Sequence, residues 1–307
     1  MMKKIGFYVI MIGFMLLSVR TNAQQDPMYT QYMFNTLSVN PAYAGSREAV
    51  SLVGLYRTQW VGLAGAPVTQ TFTLHTPIPR KHMGWGISLV NDAVGPVHQT
   101  QLFLDYAYEI QVTKLGKLRM GLKGGFGMYS GNLEDEKRDV QADHLVVNFS
   151  GKVLPNIGVG LYYYGPRGYI GVSAPKLIKK NLTINNVEIG ATRNHWFLIG
   201  GYLFDLSEDF TFKPSFLMKA VSGAPLELDL TGMLFMYERL GIGGAYRSGD
   251  AFSLLAQVFI TPGLYVGYAH DFTLTPLRDY HRGTHEFILG YDYWLKERSR
   301  IHSPRFF

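Results

Sequence analysis

The sequence predicts an all-β fold: a transmembrane outer-membrane β-barrel of about 14 antiparallel strands, with short periplasmic turns and longer external loops. Three observations lead there. The chain opens on an export signal, its composition is aromatic-rich and charge-poor, and apolar and polar residues alternate with period two in segment after segment.

The export signal comes first. Lys3 and Lys4 make a positive start, Ile5 to Leu17 is an apolar run, and Thr21-Asn22-Ala23 places small residues at a cleavage site. That run is shorter than the ~20 residues of a helical span, so residues 1–23 are expected to be cleaved. Cleavage removes Lys3, Lys4 and Arg20 from a formal charge of +6, and the remaining balance gives no support to a nucleic-acid partner. Cysteine is absent, which excludes thiol catalysis, Cys–zinc sites and iron–sulfur clusters. An exported chain without disulfides is held by backbone pairing and packing alone. Aromatics make up 14% of the chain and charged residues 17%, against about 25% charged in soluble proteins. No later stretch is apolar enough for a helical span, which leaves strands to cross the membrane.

The strands are expected near residues 48–57, 68–76, 83–91, 98–112, 117–130, 154–164, 168–173, 195–206, 210–220, 226–237, 240–247, 251–260, 264–272 and 285–295. In "QLFLDYAYEI", Leu102, Leu104, Tyr106, Tyr108 and Ile110 share a face opposite Gln101, Asp105 and Glu109. "KLRMGLKGGFGMY" sets Leu118, Met120, Leu122, Phe126 and Met128 against Lys117, Arg119 and Lys123. "FTFKPSFLMK" opposes Phe210, Phe212, Phe216 and Met218 to Lys213 and Lys219, with Pro214 expected to force a local bulge. "LELDLTGMLF" opposes its leucines to Glu227 and Asp229, and "EFILGYDYWL" closes the series with Glu286 and Asp292 on the polar face. A soluble β-sandwich alternates too, so the connections decide. Tight links ("TKLG", "GPRG", "LSED", "YERLG", "TPGL") take turns with connections that include long ones at 131–153, 174–194 and 273–284. Barrels of the outer membrane require that asymmetry; sandwiches do not.

The charges expected to face the lumen are mixed. Arg119, Lys123, Lys213 and Lys219 stand against Asp105, Glu109, Glu227, Asp229, Glu286 and Asp292. Mixed signs read as ion-paired filling or an occupied lumen, where an open pore of one polarity would show one sign. Enzymatic readings fail. Gly-x-Ser-x-Gly and HExxH are absent, and the Gly-rich "GLKGGFG" and "GIGGAYRSG" lie on strands rather than at a helix start. No catalytic residue, cofactor or metal site is expected. His281 and His285 read as part of a solvated external loop, as does "EDEKRD" at 134–139.

Between the signal and the first strand lies "QQDPMYTQYMFNTLSVNPAYAG", residues 24–45, with four aromatics, two prolines and neither helical nor strand period. It is expected to begin on the periplasmic side and fold back to fill the periplasmic half of the barrel as a plug; a plain lead-in is the alternative. The organisation is therefore a signal peptide at 1–23, a leader at 24–47, the barrel at 48–295 and a tail at 296–307. Arg57 and Trp60 end the first strand, before the small-residue loop "GLAGAP". Trp60 is read either as an interfacial anchor or as part of a loop packing over the barrel mouth.

Asn40-Pro41-Ala42-Tyr43-Ala44-Gly45, followed by Tyr56-Arg57 and Gln59-Trp60 and then "GWGISLVNDAVGP", resembles the PorP/SprF family of the type IX secretion system of Bacteroidetes. The resemblance spans the leader, the first three strands and the general pattern to the C-terminus. It implies an outer-membrane protein of type IX secretion and gliding motility, without catalytic residues. PorP-like members belong with the secretion machinery and its periplasmic lipoprotein–peptidoglycan contacts. SprF-like members each serve a partner adhesin with a type B C-terminal domain. The implied partners are thus a secreted adhesin or other type IX cargo at the external loops, periplasmic and outer-membrane components of the system, and the bilayer. The rival readings are a transport barrel, or porin, for a small or hydrophobic solute, and a soluble periplasmic β protein.

Overall fold

The computed structural model describes residues 27–78, 81–131, 149–179, 181–184, 187–191 and 193–294. The signal segment, most of the "EDEKRD" loop and the tail lie outside them. The strands are β1 Ala49–Thr58, β2 Val68–Ile78, β3 Met83–Val94, β4 Val97–Gln111, β5 Lys117–Gly131, β6 Phe149–Tyr164 and β7 Gly168–Ala174. A hairpin of β8 Asn181–Ile184 and β9 Val187–Ala191 follows. Then come β10 His195–Tyr202, β11 Phe204–Asp205, β12 Phe210–Val221, β13 Glu227–Met236, β14 Leu240–Arg247, β15 Ala251–Phe259, β16 Leu264–Thr273 and β17 Thr284–Trp294.

Every barrel strand pairs antiparallel with its neighbours in sequence, and β1 closes on β17 from Ala49↔Trp294 to Thr58↔His285. β11 continues β10 past Leu203, both pair with β12, and β8–β9 form a separate two-stranded sheet. The result is a closed 14-stranded antiparallel barrel. Closure leaves the sheet without end strands and satisfies the backbone within the wall, as lipid demands. Among the described residues no helix is long and apolar enough to cross a membrane; the strands cross it.

Parity decides which face each residue occupies. Leu104, Leu122, Ile157, Ile170, Leu230, Leu254 and Leu289 are exposed on the outer wall, between a lower belt holding Tyr108, Tyr163, Tyr202 and Tyr293 and an upper one holding Trp196, Tyr246 and Phe252. Apolar side chains between aromatic girdles match a bilayer's profile. The opposite parity is buried and largely polar: Ser51, Arg57, Thr73, Asp105, Arg119, Lys123, Lys213, Asp229 and Glu286.

Pro214 departs from expectation. The β12–β13 register runs unbroken through Pro214↔Gly232, so no bulge forms there. On its other side the ladder is already interrupted, between Gly201↔Ser215 and Phe204↔Phe212. The donor that proline lacks falls at that gap.

β6 also begins earlier than its sequence suggests, at Phe149 rather than 154. Residues 149–153 fall in the connection expected at 131–153, but Gly151 takes φ +69° where the β5–β6 register shifts, and a bulge carries the ladder onward. β7 has only 7 residues against 16 in β6, and its pairing with β6 stops at Val159↔Ala174. The upper part of β6 therefore pairs on one side only among the described residues. The chain leaves β7 by turning in against the lumenal side of β6, where the Asn156 side-chain oxygen accepts from the N–H groups of Leu177 and Ile178, each at 3.0 Å.

Candidate functional site

A segment inside a closed barrel has no sheet edge to join, so its backbone must pair with itself or with wall side chains. Residues 31–46 do the first through a chain of i→i+3 bonds. They include Phe34 N–H to the Gln31 carbonyl at 3.0 Å, Ser38 to Asn35 at 3.1 Å and Ser46 to Tyr43 at 3.0 Å. Three single-turn 3₁₀ helices result, at Tyr32–Phe34, Thr36–Ser38 and Pro41–Tyr43. The third is started by sequence-legible means: Pro41 sits in its first turn and the Asn40 side-chain oxygen accepts from Ala42 N–H at 3.0 Å.

The leader is anchored at both ends. At its start, Thr30 and Gln31 donate their backbone N–H groups to the two oxygens of Glu286 at 2.9 and 2.7 Å. Arg57 ties the same place together, reaching Glu286 at 3.0 Å, Asp271 at 2.8 Å and the Thr30 hydroxyl at 3.1 Å. At its end, Arg47 pairs with Asp292 at 2.9 Å and donates to the Tyr43 hydroxyl at 3.0 Å, while Ser51 donates to Asp292. Arg119 donates to the Ala44 carbonyl at 2.6 Å and pairs with Glu109 at 2.7 Å.

Between the anchors the leader touches strands all round the bore. Thr73 of β2 donates to the Asn35 side-chain oxygen at 2.8 Å, and Ser173 of β7 donates to the Val39 carbonyl at 2.8 Å. Lys123 of β5, paired with Asp105 at 3.0 Å, reaches the Leu37 carbonyl at 3.5 Å. Tyr43 packs edge-on against His75 and Tyr162 at 5.2 and 5.4 Å, and Lys213 of β12 lies over the rings of Phe34 and Tyr169 at 5.5 and 5.8 Å. Only a segment inside the cylinder can meet β2, β5, β7, β12 and β17 at once. The phenols of Tyr32 and Tyr43 are pushed up from their ordinary range by burial, with Arg47 pulling Tyr43 the other way.

The wall is cut to fit. A Cβ at Gly121 would collide with the backbone of Ala42, and one at Gly84 with the Ala44 carbonyl. Gly45 holds φ +73°, which lets the leader turn up into β1 while its N–H meets His75 Nδ1 at 3.1 Å.

The structure divides the residues singled out in the sequence. Asn40, Pro41, Ala42, Tyr43, Gly45 and Arg57 come together in the bore. Tyr56 points outward, 42% exposed. Gln59 and Trp60 sit half-buried at the rim, where the Trp60 N–H donates to the Thr284 hydroxyl at 3.2 Å and Val61 exchanges backbone bonds with the 274–283 loop. The first loop is therefore folded onto its neighbour.

Glu227 pairs with Lys219 at 2.8 Å and Asp229 with Arg247 at 3.1 Å; Arg247 also lies 4.0 Å from Asp271, which the Thr30 hydroxyl of the leader meets at 2.8 Å. His285 is not in a loop. It lies on β17 near the rim, where its Nδ1 meets the Tyr268 hydroxyl at 2.7 Å; His281 takes its Gly283 N–H bond within the loop.

The leader's course differs from expectation. It does not stay in the periplasmic half, because Thr30 stands beside Arg57, near the end of β1 that carries the long loops. The carboxylates of Glu286 and Asp271, near that end of the bore, hold its first turn there. Arg47, Asp271, Arg247 and Thr30 are members of the site that residue-type reasoning passed over. The lumenal parity of β14 and β16, extended to every charged residue, marks Asp271 and Arg247; nothing marks Thr30.

Set against known proteins, the family model described as "Type IX secretion system membrane protein PorP/SprF" matches residues 21–291. No curated protein matches. Among solved structures, the chain is similar to the outer membrane protein Omp33 of Acinetobacter baumannii, at 9% identity over 80% of this chain and 99% of that one, with a TM-score of 0.46. It is similar also to the CymD monoaromatic hydrocarbon channel, at 13% identity over 87% and 92% with a TM-score of 0.46. An outer membrane channel from Pseudomonas putida F1 matches at 13% identity over 81% and 96%, with a TM-score of 0.41.

Proposed function

The chain belongs to the PorP/SprF family of type IX secretion system membrane proteins, and on that premise we propose a non-enzymatic scaffold that supports secretion or surface attachment of a partner protein. The partner would be an adhesin with a type B C-terminal domain, or another type IX cargo. It would be held by the external loops around 131–153, 174–194 and 273–284. The short turns and the lower end of the leader, Ala44 to Arg47, would meet the periplasmic components. Residues 1–23 would direct export and be removed.

One observation carries the reading: the bore is occupied by the chain's own leader, bonded at Glu286 near one end and Asp292 near the other. A barrel filled in this way offers other proteins its rims and outer wall. A solute transporter needs a continuous opening, and the ion-paired lumen charges favour filling over conduction.

Deleting the gene and comparing the secreted and surface-displayed proteins tests the role. The expected outcome is loss of one or a few exported proteins from the surface with the rest of the outer membrane unaltered. An unchanged secreted and surface protein set would overturn it.

A further inference from the structure

A groove opens on the outer wall at the end of the barrel that carries the short turns, with a volume of about 550 Å³. Tyr163, Ile170 and Tyr202, side by side on β6, β7 and β10, make its floor. Leu115, from the β4–β5 turn, and Pro166 and Arg167, from the β6–β7 turn, make its lip. The lip is fixed in place: a Cβ at Gly116 would strike the Tyr163 hydroxyl, and Leu203 N–H donates to the Arg167 carbonyl at 2.7 Å. The groove is far more apolar than polar, of a size that suits a small ligand, and two of its walls belong to the lower aromatic belt. That belt marks the head-group level of a bilayer.

We propose that this groove binds one phospholipid from the periplasmic leaflet of the outer membrane. One acyl chain would lie over Tyr163, Ile170 and Tyr202, and the phosphate would stand at Arg167. The charge fits. Arg167 is more than half exposed and holds Asp205 at 2.9 Å, so its guanidinium is kept at the lip with donors to spare, and Lys114 stands exposed beside Leu115. Here three strands and two turns form a recess with a cationic edge. The site is independent of whichever protein the barrel serves.

The test uses the full chain purified in mild detergent, with bound lipid read by native mass spectrometry. Wild type is expected to retain a phospholipid through washing and, once stripped, to rebind phosphatidylglycerol better than uncharged diacylglycerol. Arg167→Glu is expected to lower retention about tenfold, the scale of one lost charge-assisted contact, and Leu115→Asp to lower it by setting a carboxylate at the apolar lip. Arg239→Glu, at another turn of the same end, serves as the charge control and should leave it unchanged. Heat-dependent gel migration shows that each variant is folded, and Arg167→Gln replaces any variant that is not. Equal retention by wild type and both groove variants, equal loss in the Arg239 control, or equal rebinding of the two lipids would each overturn the site.

Discussion

Arg57 stands between two carboxylates and a hydroxyl of the leader, and all four groups are buried. Removing one member of a buried ionic cluster leaves the others uncompensated, at a cost of about 3–5 kcal/mol. Arg57→Ala is therefore expected to lower the temperature at which the barrel loses its compact gel migration, by a margin that Arg57→Lys only partly restores. Lysine keeps the charge but not the fork that spans Asp271 and Glu286. An unchanged transition in the alanine variant would show that the cluster does not bear on stability. Arg57 is legible in the sequence, as a charge at the end of an apolar strand. Its partners are not, because parity shows that Asp271 and Glu286 face inward, whereas the closure of β16, β17 and β1 decides that all three meet.

At the scale of the element, the leader and β6 teach different lessons. The leader's turns can be read from Asn40-Pro41 and from its lack of period, but its reach toward the loop end cannot, since distant carboxylates hold its first turn. In β6 the Ile157 carbonyl faces the side vacated by β7, where it accepts from Leu177 N–H at 2.8 Å. Strand alternation puts Val153 and Pro155 on that same side. Pro155 thus withholds a donor where, among the described residues, β6 has no strand beside it on that side, a known guard against pairing with other chains. Pro155→Val is expected to raise edge-to-edge association, seen as larger species in light scattering of the purified protein. Unchanged size would mean that the edge is already covered. Fewer of the strand's own limits are legible, because residues 149–153 read as the end of a long connection until the bulge at Gly151 is seen.

Taken as a whole molecule, the barrel is a wall with its own chain inside. In planar bilayers it is expected to pass little current, and deletion of residues 26–44 to raise it sharply by emptying the bore. The same deletion should spare membrane insertion, which depends on the untouched outer face, and abolish export of the partner. High conductance in the intact protein would argue for transport, and normal export without the leader would make the leader a mere lead-in. The sequence by itself determined the fold class, the strand order and which face of each strand is apolar. Those are local properties, carried by period-two alternation and by the lengths of the connections. Only the tertiary structure decided the leader's course, the clusters around Arg57 and Arg47, and the low wall at β7. Each depends on which residues closure brings face to face across the bore, and that is set by the register of all the strands together.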